Sequence, residues 1–402
     1  MCQGLLKGRL CRLSAGRRYG ESAGRRLRTH TTGSPALSPH KLPLVWLAAL
    51  VLLGSQAAAA ELDLSSPEAA LRAALAVDAA GDREAAAQLL LPQYREQLRG
   101  GYGLGGQAWQ FAQWWRRRFG PLISYEPGQV SQWGDLARGP VKITLPYEIG
   151  RGKRSIYVWL NLVHTQGLWL QDLDPKPALL KATADWGQAE SEHFVYHFTR
   201  PGAVTEQHLR YHEEFLASVQ KLMQVQAPPR IDYFLASNER EADLLGLMPW
   251  QYAGEGMLGT VVCNSPRFAH EVCHAMLPAQ PPNNMLSEGL AVYLADNLDG
   301  FSGQVDFRAA AAKLLGEGKL LSLDQLAARD TRALSPSFEY VTEVVYTQAA
   351  AFVMYLIEQR GIEKFRQLFN EANIATFPAV FSRLYGQGLE QAEEEWRQWL
   401  GN

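Results

Sequence analysis

Residues His270-Glu271-Val272-Cys273-His274 set two imidazoles four positions apart, with a carboxylate directly after the first. On a helix the two histidines lie about 40° apart on one face and roughly 5.4 Å along the axis, so both rings can reach one ion. Glu271 projects about 100° round from His270, where it can hold a water without being a ligand. Neutral imidazoles as ligands, and a carboxylate that takes a proton from water, are the groups a zinc-dependent hydrolase needs. After a loop from Pro278 to Asn284 comes Leu286-Ser287-Glu288-Gly289-Leu290-Ala291-Val292-Tyr293, which reads as a second helix with Glu288 placed 14 residues beyond His274. A His, His, Glu set leaves a fourth coordination position open, the mark of catalytic rather than structural zinc.

The elements that must position these residues follow from periodicity. Before the histidine motif the chain reads strand (His193 to Phe198), helix (Thr205 to Val225), strand (Ile231 to Leu235), helix (Glu239 to Leu247) and strand (Leu258 to Val262). The helix with the motif is expected to begin near Ser265-Pro266, and mostly helices follow to the end. Further upstream, Ser65-Ser66-Pro67-Glu68 is a helix start with a capping serine and an early proline. The helix runs to about Asp78, Gly81 breaks it, and a second helix reaches about Leu91. Gly100 to Gly106 interrupts the pattern before a helical stretch from Trp109 to Phe119. The period then changes to two: Val141, Ile143, Leu145 and Tyr147 alternate, Gly150-Arg151-Gly152 turns the chain, and Ile156, Val158, Leu160 and Leu162 alternate again. Helices followed by an antiparallel meander make an α+β unit over 61–175. A linker introduced by Asp174-Pro175-Lys176-Pro177 is expected over 176–192, and a second α+β unit with a mostly helical C-terminal part over 193–402.

Residues 1–60 read as a leader. Lys41 precedes the apolar run Leu42 to Leu53, and Ala57 to Ala60 close it, which is the pattern of a signal peptide cleaved near Ala60. The expected location is therefore the periplasm or the exterior, with membrane contact only through that segment if it stays uncleaved. The leader holds nine basic residues and one acidic one, leaving 30 basic and 40 acidic residues for the rest of the chain. A body of that sign speaks against nucleic acid as a partner, since its compact basic cluster Arg116-Arg117-Arg118 is too short to make a binding patch. Beyond the leader only Cys263 and Cys273 remain, and their pairing in an oxidising compartment stays open beside two buried free thiols.

The motif residues, with Leu286 to Ala291, the run Tyr346-Thr347-Gln348-Ala349-Ala350-Ala351-Phe352-Val353-Met354-Tyr355-Leu356 and the closing Glu395-Trp396-Arg397-Gln398-Trp399-Leu400, resemble the gluzincin metallopeptidases. Within that group the likeness is to the peptidase MA-like family of secreted bacterial proteins, over roughly residues 190–402. The resemblance implies one zinc ion per chain, held by His270, His274 and Glu288, with Glu271 as general base and then acid in peptide-bond hydrolysis. It also implies a peptide or protein substrate laid as an extended strand along Met257 to Val262. Tyr346 is the candidate oxyanion donor, with Tyr293 and Tyr340 as competitors. The order of elements in the first unit resembles the cone-shaped fold of the nuclear transport factor 2-like superfamily, and that unit is expected to recruit a substrate or partner, or to cover the cleft.

Two departures qualify the likeness. Position 292 is Val, so the Glu-x-x-x-Asp form of thermolysin-like relatives is absent and the support of the ligands must come from elsewhere. Gly254-Glu255-Gly256-Met257-Leu258 does not match the Gly-x-Met-Glu-Asn signature of aminopeptidases. His208 and His212 read as a solvated helix face, and His193 and His197 as strand surface. The competing functional reading is a zincin-fold binding or assembly protein of the cell envelope without catalysis, against which the intact Glu271 argues.

Overall fold

Alternating apolar residues at 137, 139, 141, 143 and at 156, 158, 160, 162 face each other across two long strands, and this pairing organises the first half of the described chain. The computed structural model describes residues 62–99, 124–149, 153–226, 230–247, 254–257, 259–277, 284–299, 305–328 and 340–401. The expected leader and its cleavage site, the stretch Gly100 to Gly106, the helix expected over Trp109 to Phe119, the cluster Arg116-Arg117-Arg118 and the loop Pro278 to Asn283 lie outside the described residues.

Ser66 caps helix α1 (Pro67–Ala80) by accepting the Ala69 N–H, and Gly81, at φ 70°, ends it. Helices α2 (Arg83–Gln88) and α3 (Pro92–Arg99) follow. The first sheet is antiparallel: β1 (Ser124–Pro127), β3 (Leu136–Ile149), β4 (Lys153–Thr165) and β5 (Leu168–Asp172) lie in that order, with β2 (Ser131–Trp133) on β3. The register Val141↔Val158 and Gly139↔Leu160 turns one apolar face toward Ala70, Leu71, Ala74 and Val77 of α1, closing a core of its own.

Residues 176–192 are folded rather than a free linker. Pro177 sits in the first turn of helix α4 (Lys176–Ala182), where its missing N–H costs nothing, and β6 (Gly187–Glu190) pairs antiparallel with β7 (Phe194–Phe198). The second sheet runs β6-β7-β8-β10-β9, with β8 (Ile231–Leu235), β9 (Gly254–Met257) and β10 (Thr260–Cys263). Its three inner strands are parallel, and β6 and β9 are antiparallel edges. One face, with Phe194, Tyr196, Tyr233, Val261 and Cys263, packs on helices α5 (Glu206–Met223) and α7 (Ala269–Met276). On the other face Phe234 and Val262 meet Leu179 of α4 and Leu245 of α6 (Glu239–Leu245).

The C-terminal part is helical, as expected: α8 (Asn284–Asp299), α9 (Phe307–Gly316), α10 (Leu323–Ala327), a π-helical turn (Val341–Tyr346) running directly into α11 (Thr347–Arg360), then α12 (Ile362–Glu371), α13 (Phe377–Tyr385) and α14 (Leu389–Gly401). The sequence-derived α+β class holds. Helix α11 is apolar nearly all round, with Ala349, Ala350, Ala351, Phe352 and Val353 buried, because it is the central rod on which α8, α9, α12 and α14 pack.

Residues Glu61–Asn402 form one compact unit. A buried arginine helps tie its two sheets together. Arg138 on β3 stacks on Trp159 at 4.5 Å and donates to the Leu244 and Leu245 carbonyls (2.6 and 3.4 Å) that close α6, while the Trp159 indole N–H donates to the Asp243 carbonyl at 2.5 Å. These contacts lie on the side of the second sheet away from α7. Among the described residues, no helix is long and apolar enough to cross a membrane.

Candidate metal centre

Helix α7 carries the histidine motif. It begins at Ala269 rather than near Ser265-Pro266, and Ala269, Val272, Cys273, Ala275 and Met276 bury its inner side. His270 and His274 are thereby left on the partly exposed side, with ring centroids 4.8 Å apart and planes at 74°. Helix α8 supplies the carboxylate. Met285, Leu286, Leu290, Ala291 and Leu294 are fully buried, which fixes the rotation of α8 and turns Glu288 toward the histidines. Gly289 lets α8 approach α11 closely, because a Cβ there would lie 2.6 Å from the Ala349 carbonyl oxygen.

Three ligand atoms converge. His270 Nε2 lies 3.1 Å from His274 Nε2, and Glu288 Oε2 lies 3.3 Å from the first and 3.5 Å from the second. Zinc bonded tetrahedrally at ordinary distances separates its donors by about 3.3 Å, so these three atoms have the spacing of one face of such a tetrahedron. Of the described residues, His270, His274 and Glu288 form the group that could hold a metal ion. Burial alone raises the Glu288 carboxyl, but the adjoining His274 and His270 rings outweigh it and hold the group well below the usual carboxylate range. It is therefore ionised, as a ligand must be.

Support for the ligands comes from Ser287, the residue before Glu288. Its Oγ lies 3.3 Å from His274 Nδ1, so the ring can carry its proton on Nδ1 and leave the Nε2 lone pair free for a cation. Nothing in the sequence marks this contact out. Glu271 is on the same short helix and only 8% exposed. Tyr346 ends the π-helical turn, and its ring lies 6.3 Å from that of His270, nearly parallel at 19°. Such turns are frequent at functional sites, and no residue pattern marks this one.

The strand expected to meet an extended peptide is corrected by one position in the sheet. Thr260–Cys263 is internal, between β8 and β9, and the edge is β9 (Gly254–Met257), antiparallel to β10. Its glycines hide a strand that exists through pairing with β10. The turn between the two strands is docked on the motif helix: Gly259, at φ 72°, donates its N–H to the Ala275 carbonyl at 3.0 Å.

Of the two histidine pairs expected at the surface, His197 and His212 are buried instead, while His193 and His208 are partly exposed. His197 is buried, with Nε2 2.8 Å from Asp232 Oδ1, and Asp232 also pairs with Lys176 at 3.2 Å. His193 pairs with Glu213 at 2.8 Å. His208 Nδ1 accepts the Thr205 N–H at the start of α5, and His212 is fully buried. Cys263 and Cys273 are buried free thiols. Burial pushes Cys263 up to about 12, and burial together with the Glu271 and Glu288 carboxylates raises Cys273, so neither is a nucleophile at neutral pH. Compared with known protein families and with curated proteins, the chain matches none.

Proposed function

We propose that this chain is a secreted or periplasmic zinc peptidase, its leader cleaved near Ala60, that hydrolyses peptide bonds with Glu271 as general base. The observation that carries the reading is the convergence of His270 Nε2, His274 Nε2 and Glu288 Oε2 at 3.1 to 3.5 Å from one another, with a carboxylate one residue after the first ligand. Zinc bound there supplies Lewis acidity toward water and toward a substrate carbonyl.

The chain's own residues do the rest. Glu271 takes the proton of the attacking water and returns it to the leaving amine, a task suited to a carboxylate held in a mostly buried position. The Tyr346 hydroxyl donates to the oxygen on which charge develops. Strand β9 offers its edge to an extended peptide, adding a strand to the sheet beside α7, against which β9 packs. The first sheet meets α6 on the far side of the second sheet, which favours recruitment over covering the cleft as its role.

The test is hydrolysis of casein or a mixed peptide library by the zinc-loaded protein and by Glu271→Gln. The proposal expects wild-type cleavage and a loss of about 10²-fold or more in the variant with zinc retained. Bound zinc with equal behaviour of the two proteins would hand the reading to a binding protein that keeps the fold.

A further inference from the structure

The segment that starts the motif helix is held by buried side chains rather than by a cap. Phe268, the residue before α7, makes no side-chain capping bond. Its N–H donates instead to His212 Nε2 at 3.2 Å, across from α5. The Tyr196 hydroxyl of β7 meets His212 Nδ1 on the other side of the ring, and lies 3.4 Å from the Pro266 carbonyl. One residue earlier, the Ser265 carbonyl accepts from the Tyr233 hydroxyl of β8 at 2.6 Å and from the Cys263 thiol at 2.9 Å.

Donor and acceptor roles in this chain run one way. A backbone N–H can only donate, so His212 Nε2 presents a lone pair to Phe268. Burial lowers the ring's pKa to about 3, aided by His208 and Arg267, so the ring is neutral and its single proton sits on Nδ1. Nδ1–H donates to the Tyr196 oxygen, and the Tyr196 proton goes to the Pro266 carbonyl. Phe194, Tyr211 and Tyr233 enclose the ring at centroid distances of 5.4, 4.9 and 5.0 Å, which keeps it from turning over.

We infer that His212 is a positioning residue of the metal centre: through the Phe268 N–H it fixes where α7 begins, and hence how His270 and Glu271 approach Glu288. The inference rests on the zinc reading above. A side chain there must accept at the Nε2 position, and the donor at the Nδ1 position serves only Tyr196. Glutamine keeps the acceptor, and asparagine keeps the donor.

The test uses the full-length protein, titrated with Zn²⁺ against a chromogenic chelator and with Co²⁺ followed by its visible bands. His212→Asn is expected to bind zinc about tenfold more weakly and to show altered cobalt bands, as loss of an outer support does, whereas His212→Gln stays within about threefold with wild-type bands. Asparagine indistinguishable from wild type on both readouts overturns the inference. Because either variant could fail to fold, ¹⁵N spectra of wild-type histidines supply a second reading. A protonated Nδ1 with a bare Nε2 at His212 supports the inference, and the opposite tautomer overturns it. Wild-type protein that binds neither ion removes the metal centre and the role given to His212 with it, and the ¹⁵N spectrum still tells whether the hydrogen-bonded chain exists.

Discussion

Replacing Gly289 by alanine sets two effects against each other in one residue. Helix propensity favours alanine by about 1 kcal/mol. The added Cβ would lie 2.6 Å from the Ala349 carbonyl oxygen, 2.7 Å from its carbon and 3.0 Å from Val353 Cγ2. Two of these are backbone atoms of the central helix α11, which cannot rotate aside, so restoring ordinary contact requires α8 to move by about 0.8 Å. Overpacking of this kind costs about 1 to 3 kcal/mol, and rigid backbone on the far side puts this case in the upper half, for a net loss of about 1 to 2 kcal/mol. The same shift displaces Glu288, the adjoining residue, from its place 3.3 and 3.5 Å from the two imidazoles. Zinc affinity should therefore fall by about tenfold or more, because a ligand set held 1 Å too loosely loses its geometry. Urea unfolding of metal-free protein reads the first effect, and chelator competition reads the second. Gly316→Ala is the control, since a Cβ there meets nothing within 4 Å, and it should raise stability by about 0.4 to 1 kcal/mol. If Gly289→Ala matches that control in stability and binds zinc like wild type, the close approach of α8 and α11 does not set the position of Glu288.

Three further outcomes follow from buried polar groups. His212 stays neutral in the fold down to about pH 3, whereas in the unfolded chain it takes a proton near its ordinary pKa of about 6.5. Its contribution is full above about pH 6.5 and is lost as pH falls, by about 2 kcal/mol at pH 5 relative to pH 8. The difference in urea midpoint between wild type and His212→Gln should narrow accordingly, and a pH-independent difference would contradict the buried neutral ring. Ser287→Ala removes the partner of His274 Nδ1 and should weaken zinc binding by about tenfold in calorimetric titration, and an unchanged affinity would remove Ser287 from the support of the site. Arg138→Met keeps an apolar stem but strips the Leu244 and Leu245 carbonyls of a buried donor, so unfolding should show a loss of about 2 to 4 kcal/mol with zinc affinity unchanged. Weakened zinc binding in that variant would mean the first sheet acts on the metal centre.

What could be read in the sequence was local. His270 and His274 share a face because four residues make about one turn, and Glu288 was legible as the carboxylate of the next helix. The paired strands β3 and β4 announce themselves by long alternation. The misses depend on partners far along the chain. His212 is buried because Tyr196 and Phe268 meet its two nitrogens, and His197 because Asp232, on the next strand, pairs with it. Gly254–Met257 becomes an edge strand only beside β10, and Gly187–Glu190 only beside β7. Pro175 and Pro177 read as a break, yet a proline in the first turn is compatible with a helix, and α4 begins there.

The central claim is that His270, His274 and Glu288 hold one zinc ion beside a catalytic carboxylate. The most direct test is zinc content by plasma mass spectrometry on protein purified with zinc present, for wild type, Glu288→Ala and Glu271→Gln. The account predicts about one zinc per chain in wild type and in Glu271→Gln, and a large loss in Glu288→Ala. Wild type without zinc, or Glu288→Ala with a full complement, would contradict it.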